Sequence, residues 1–262
     1  MLVRDAGDAW QIVMQTDHGD VAGQLVAAWG GEGFRAPARL ASAALAATRH
    51  DDGWAVWERR PRLDPDTGAP RNFLGVPVAP HLAFYRAGVE VVCEEDRYAG
   101  LLVSMHMSGL YRQRYGVVPA GPMRLSDEER ALADTFCDQE EQRQEALAAL
   151  LEVSEEERWH DYALLQVADL VSLFCALGDL EGGTASGAAE AVPTADGDSV
   201  RVALEPLGPW RLGATPYPFA QQPLTLTMVR RLLPKRTWPD DAAFRADLDA
   251  CPPETVRIYL QG

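Results

Sequence analysis

Residues 162–174 read Tyr-Ala-Leu-Leu-Gln-Val-Ala-Asp-Leu-Val-Ser-Leu-Phe, and Asp169 is the only charge among them. A run this apolar is not stable in water. The surrounding stretch, 155–177, predicts a helix whose second half is apolar on all sides, so other elements must pack around it. With 262 residues, 47% of them hydrophobic, the chain can build one sizeable core, or one core and a small appended unit. The same composition excludes a disordered chain, a collagen-like repeat and a disulfide-stapled mini-protein. Asp169 itself has two readings. Gln166, Asp169 and Ser172 form either a narrow stripe facing solvent or a polar stripe inside the fold, and the apolar flanks favour the interior.

Further helices are predicted upstream. His18, Ala22, Leu25 and Trp29 share one face, with Thr16 or Asp17 as the cap and Gly30-Gly31 as the stop. Pro37 opens a second helix to about His50, with Leu40, Ala44, Ala47 and Asp51 along one stripe. Two more run over 80–94 and 96–115, the latter carrying His106 on its apolar face. Ser126 and Glu129 form a capping box that opens a long charged helix to about Leu151. Residues 52–78 are the longest irregular stretch in the first half, of the kind that forms lids and binding loops. Residues 182–197 read as a flexible loop. Short strands follow at 200–204, 210–212, 224–229 and 256–260. The expected fold is therefore mainly α, a helical domain over 1–178, a loop over 179–199, and a small β-rich unit over 200–262 packed on the helices.

The formal net charge is −15, which repels phosphate backbones and argues against nucleic acid as a partner. A small anionic substrate remains compatible, because a metal or a local positive charge dominates inside a cleft. No window reaches the roughly 18 apolar residues that span a bilayer. Residues 1–11 carry Arg4, Asp5 and Asp8 and do not read as a signal peptide. Four cysteines without a CxxC pair fit a reduced, cytoplasmic protein.

Only five histidines occur: His18, His50, His81, His106 and His160. Three lie on the apolar stripes of separate predicted helices, and Asp51 follows His50 directly. Bundle cores assemble metal sites from inward-facing side chains on different helices. Imidazole and carboxylate together suit Zn, Fe, Mn or Co. A lone histidine on an apolar stripe is more often an ordinary core residue, and that reading is kept for His81 and His160. For His18, His50 and His106 together, ligand or catalytic roles are favoured. Asp17 and Asp52 are candidates to orient ligand imidazoles. Trp54 could wall the pocket, and Arg62 and Arg86 could meet an anionic substrate.

The order His18, His50-Asp51, Asp169 resembles the HD-domain superfamily of helical metal-dependent phosphohydrolases. The segments Gln15-Thr-Asp-His-Gly-Asp-Val-Ala-Gly-Gln-Leu, His50-Asp-Asp-Gly-Trp and Leu101-Leu-Val-Ser-Met-His-Met-Ser-Gly-Leu-Tyr resemble a narrower bacterial family of unknown function, taken as an outlying HD branch. The resemblance implies an HD-like helical bundle with His18, His50, Asp51 and Asp169 on one divalent transition metal. His106, and less clearly His81, would hold a second. The implied activity is a metal-dependent phosphohydrolase for a small phosphate ester or nucleotide, with Asp51 and His106 as catalytic residues. Asp51 would orient or deprotonate the attacking water, and His106 would hold a second metal or protonate the leaving group. Two alternatives stand beside it: an HD-fold di-iron oxygenase, and a non-catalytic sensor that binds a metal or ligand. The lysine common after the HD pair is absent; Asp52, Gly53 and Trp54 follow instead.

Overall fold

The computed structural model describes residues 1–114, 116 and 124–262. The chain opens with two short strands, β1 (Leu2–Asp5) and β2 (Ala9–Val13). Helices α1 (Gln15–Ala27), α2 (Leu40–Arg49), α3 (Trp54–Glu58), α4 (Val78–Glu95), α5 (Arg97–Tyr111), α6 (Asp127–Leu151) and α7 (Glu155–Leu177) follow. Strands β3 (Gly187–Pro193), β4 (Ser199–Gly208), β5 (Arg211–Thr215) and β6 (Leu224–Pro234), then α8 (Asp241–Ala250) and β7 (Glu254–Gln261), complete it.

The mainly α expectation is corrected by the sheet. Seven strands form one sheet in the order β1-β2-β6-β7-β5-β4-β3. The architecture is mixed α/β, a curled half-barrel packed with helices, and not an HD-like bundle with a small β appendage. The N-terminal strands belong to the same sheet as the C-terminal ones: β2 pairs antiparallel with β6, Ile12 opposite Arg231. All neighbouring pairs are antiparallel except β5 with β7. The 182–197 stretch, expected as a loop, contains β3, which pairs with β4.

Side-chain alternation sends the two sheet faces to different cores. On β2, Val13 joins the main core, which runs through the helices to β4–β7. Its neighbour Ile12 joins a smaller cluster with Met1, Leu233, Trp238, Phe244 and Leu248 beneath α8. On β6 and β7, Leu226 lies opposite Ile258, and both are fully buried.

The helix ends follow local chemistry. Asp96 caps α5 by accepting from the Tyr98 and Ala99 amides at 2.8 and 2.9 Å. Ser126 and Glu129 close the expected capping box on α6. Ser154 caps α7. The expectation that Thr16 or Asp17 caps α1 is corrected: the N-cap is Met14, with no side-chain hydrogen bond. By length and composition α7 could cross a bilayer, but 67% of its most apolar window is buried inside the fold. It is the helix around which α1, α2 and α5 pack.

Candidate metal centre

Two helices crossing at close range begin the site. On α1, a Cβ at Gly19 would collide with the Thr48 carbonyl oxygen of α2. The facing side of α2 is equally small, with Ala43, Ala46 and Ala47 buried. Glycine and alanine therefore let the two backbones approach, and His18 on α1 meets His50 at the end of α2. Their ring centroids are 4.9 Å apart, edge to face. His106 on α5 brings its ring to 5.0 Å from His50. Asp51 follows α2 directly, and Asp169 projects from α7. All five residues are at most 7% exposed.

The hydrogen bonds fix which nitrogens carry protons. Ser172 donates its hydroxyl to the Asp169 carbonyl at 2.8 Å. Its oxygen then accepts from His18 Nδ1, also at 2.8 Å. In this tautomer His18 Nε2 is an unprotonated acceptor, yet it faces Asp51 Oδ2 at 3.2 Å. His50 donates Nδ1 to the Ala47 carbonyl at 2.7 Å, so Nε2 is the nitrogen turned to the carboxylates. That Nε2 sits 3.3 Å from Asp169 Oδ1 without hydrogen-bond geometry. Asp51 Oδ1 is buried and, among the described residues, makes no hydrogen bond. Once both facing nitrogens are deprotonated, as metal binding requires, the two imidazoles present lone pairs to Asp51 and Asp169 at 3.2–3.8 Å. Such a donor set fits a divalent cation. Two overlapping groups, His18/His50/Asp169 and His50/Asp51/His106, each bring one ligand atom per residue within 4.8 Å of the others and could hold a metal.

The electrostatics agree. Burial pushes the His50 imidazole down, but the Asp51 and Asp169 charges outweigh it and hold its pKa up at about 9. Burial raises both carboxyls, and the His50 charge beside them more than reverses this, so each sits below its ordinary value. A proton on His50 and a metal ion answer the same excess of negative charge. Burial takes His106 the other way, down to about 4. It is neutral, with Nε2 3.8 Å from Asp169 Oδ2.

The cluster opens on a cavity of about 190 Å³. Asp51, His106 and Asp169 form its floor, and Gln15, Phe73, Tyr85, Leu110, Leu170 and Leu173 its walls.

The other candidates lie elsewhere. His81, on α4, meets the Tyr111 hydroxyl at 2.6 Å through Nδ1 and stacks on Tyr85 and Trp54. It belongs to neither ligand group among the described residues. Trp54 is fully buried behind the cavity wall, against Phe73, Phe84 and Tyr85. Asp52 pairs with Arg49. Asp17 faces a separate groove between α1, α2 and β6. Arg62 stacks over Trp57 in a neighbouring cleft. Arg86 reaches Gln139 on α6 at an exposed position. His160 pairs with Asp161 at 2.8 Å.

The imidazole of His18 is therefore oriented by Ser172, and that of His50 by the Ala47 carbonyl, not by Asp17 and Asp52. Ser172 stands three residues after Asp169 on the same helical face, which is the one sequence signal that points to it. Gln15 and Tyr85 are the polar wall residues that patterning did not single out.

No curated protein and no solved structure gives a significant match to this chain, and no match ties it to the HD superfamily. One family model does match, over residues 1–235. The chain accordingly belongs to the family described as Protein of unknown function (DUF3891).

Proposed function

We propose that the protein is a metal-dependent phosphohydrolase for a small phosphate ester, using a divalent transition metal held by His18, His50, Asp51 and Asp169. One observation carries the reading: two histidines and two aspartates from α1, the end of α2, the turn after it and α7 converge on a buried point beside a small cavity. A bound ion supplies Lewis-acid activation of a phosphoryl oxygen and of water. Asp51 Oδ1, without a hydrogen bond among the described residues and on the cavity floor, accepts the proton of the attacking water. His106 lies across the floor from it and orients the substrate's head group. Ser172 holds His18 in the tautomer that leaves Nε2 available. The apolar wall lowers the local polarity around the floor, which strengthens each of these interactions.

The test is phosphate release from a panel of alkyl and aryl phosphate monoesters. Hydrolysis abolished by a chelator and restored by Mn²⁺, Fe²⁺, Zn²⁺ or Co²⁺ is the expected result. No release with any of these metals would defeat the proposal. Ser172→Ala should weaken metal affinity by roughly 10–100-fold while the protein stays folded, as loss of an orienting partner does elsewhere. Calorimetric titration with Mn²⁺ or Zn²⁺ measures it.

The dioxygen-activating alternative asks for a second, firmly held iron with His81 among its ligands. Among the described residues His81 belongs to neither group that could hold a metal. His81→Ala should therefore leave the metal content per chain unchanged. Loss of metal in that variant, or two tightly bound irons with an optical change on exposure to oxygen, would favour the oxygenase.

A further inference from the structure

We infer that the substrate carries a compact apolar body of few atoms, and that nucleotides are excluded. The inference rests on the proposed phosphohydrolase reading and narrows its substrate class. Three observations carry it.

The first is size. At about 190 Å³ the cavity is well below the roughly 300–1,000 Å³ of pockets that enclose drug-sized ligands such as nucleotides. The second is the wall. Phe73, Leu110, Leu170 and Leu173 present hydrocarbon, and the polar exceptions above the floor are neutral: the Gln15 amide and the Tyr85 phenol. Burial, reinforced by the Asp51 charge, keeps that phenol protonated. The third is charge. Among the described residues no arginine or lysine lines the cavity. Arg62 and Arg71 lie in the adjoining cleft, which shares Phe73 with the cavity. A polyphosphate or an anionic sugar would be desolvated against leucines with no counter-ion beyond the metal. Next to Phe73, Leu74 stands 80% exposed, so the apolar character continues to the surface beside the cavity.

The head group therefore meets the metal and the carboxylate floor, while a short alkyl or small aryl group fills the leucine-lined space. The apolar body supplies the binding energy and the head group the orientation.

The experiment is calorimetric titration of the Mn²⁺-loaded protein with methylphosphonate, butylphosphonate, pentanoate and adenosine monophosphate. None of these needs turnover. Butylphosphonate should bind about tenfold or more tighter than methylphosphonate, within what burying three extra methylenes provides. Adenosine monophosphate should bind more weakly than butylphosphonate. Leu173→Gln should shrink the chain-length preference to about threefold or less, with its melting curve as the check on folding. Equal binding of the methyl and butyl compounds, tightest binding of the nucleotide, or no binding of any probe would overturn the inference. Pentanoate equal to butylphosphonate, with the chain-length preference intact, would uphold the apolar body and defeat the phosphate reading instead.

Discussion

Asp51→Ala is expected to strip the protein of metal and of phosphate-ester hydrolysis in one step, while His160→Ala retains both. Asp51 Oδ2 is 3.2 Å from His18 Nε2 and 3.8 Å from His50 Nε2, and Oδ1 has no hydrogen-bond partner among the described residues. Removing it deletes a ligand and the proton acceptor together. The loss of affinity should exceed the roughly 10–100-fold that follows removal of an orienting partner outside the ligand set. His160 is a control of the same residue type. It is buried on α7 like Asp169, but its partner is Asp161, whose other oxygen accepts from the Tyr98 hydroxyl at 2.8 Å. Elemental analysis and phosphate release on both variants decide the matter. Parallel behaviour of the two would show that the constellation is no more than a set of core polar residues.

Gly19→Val should have a large effect although it removes no ligand. Its side chain would have to occupy space held by the Thr48 carbonyl, a backbone atom that cannot rotate away. Overpacking against backbone costs about 3 kcal/mol or more, enough to lower the melting temperature by several degrees at this chain length. The functional consequence is separable. Prising α1 from α2 moves His18 away from His50, so metal affinity should fall even below the melting transition. Ala27→Val, at an exposed position near the end of the same helix, should stay within about 0.5 kcal/mol of the parent. Equal melting temperatures for the two variants would mean that the close crossing does not set the ligand geometry.

What sequence reasoning could reach divides along physical lines. Helices with a strong apolar stripe and a capping side chain, such as α5 behind Asp96 and α6 behind Ser126, are readable because the signals are local. The five clustered residues were readable for a related reason: a histidine or aspartate interrupting an apolar face stands out against its neighbours. The C-terminal strands at 200–204, 210–212, 224–229 and 256–260 were readable, but the single sheet they share with β1, β2 and β3 was not. Strands β1 and β2 are four and five residues long, too short to establish a period, and the partner that joins this pair to the sheet, β6, comes from the other end of the chain. Arg230 donates to Gln11 at 2.8 Å across a separation of 219 residues, a pairing that no local pattern announces. Strand β3 is written Gly-Ala-Ala-Glu-Ala-Val-Pro, small residues with little strand preference, and only its pairing with β4 makes it a strand. The role of Ser172 was hidden because it depends on donor and acceptor bookkeeping across two helices. Asp17 and Asp52 are adjacent to ligands in sequence, but helix geometry turns neighbours away from one another.

The direct test of the central claim is the metal content of the protein purified without a histidine tag from metal-replete cells, beside that of Asp169→Ala. Asp169 is the α7 member of the His18/His50/Asp169 group, 3.3 Å from His50 Nε2, and its other oxygen lies 3.8 Å from His106 Nε2. The account predicts about one transition metal per chain in the parent and almost none in the variant, because a four-ligand site that loses a buried carboxylate also loses charge balance. A parent protein devoid of transition metal, or a variant that keeps its full complement, would contradict it.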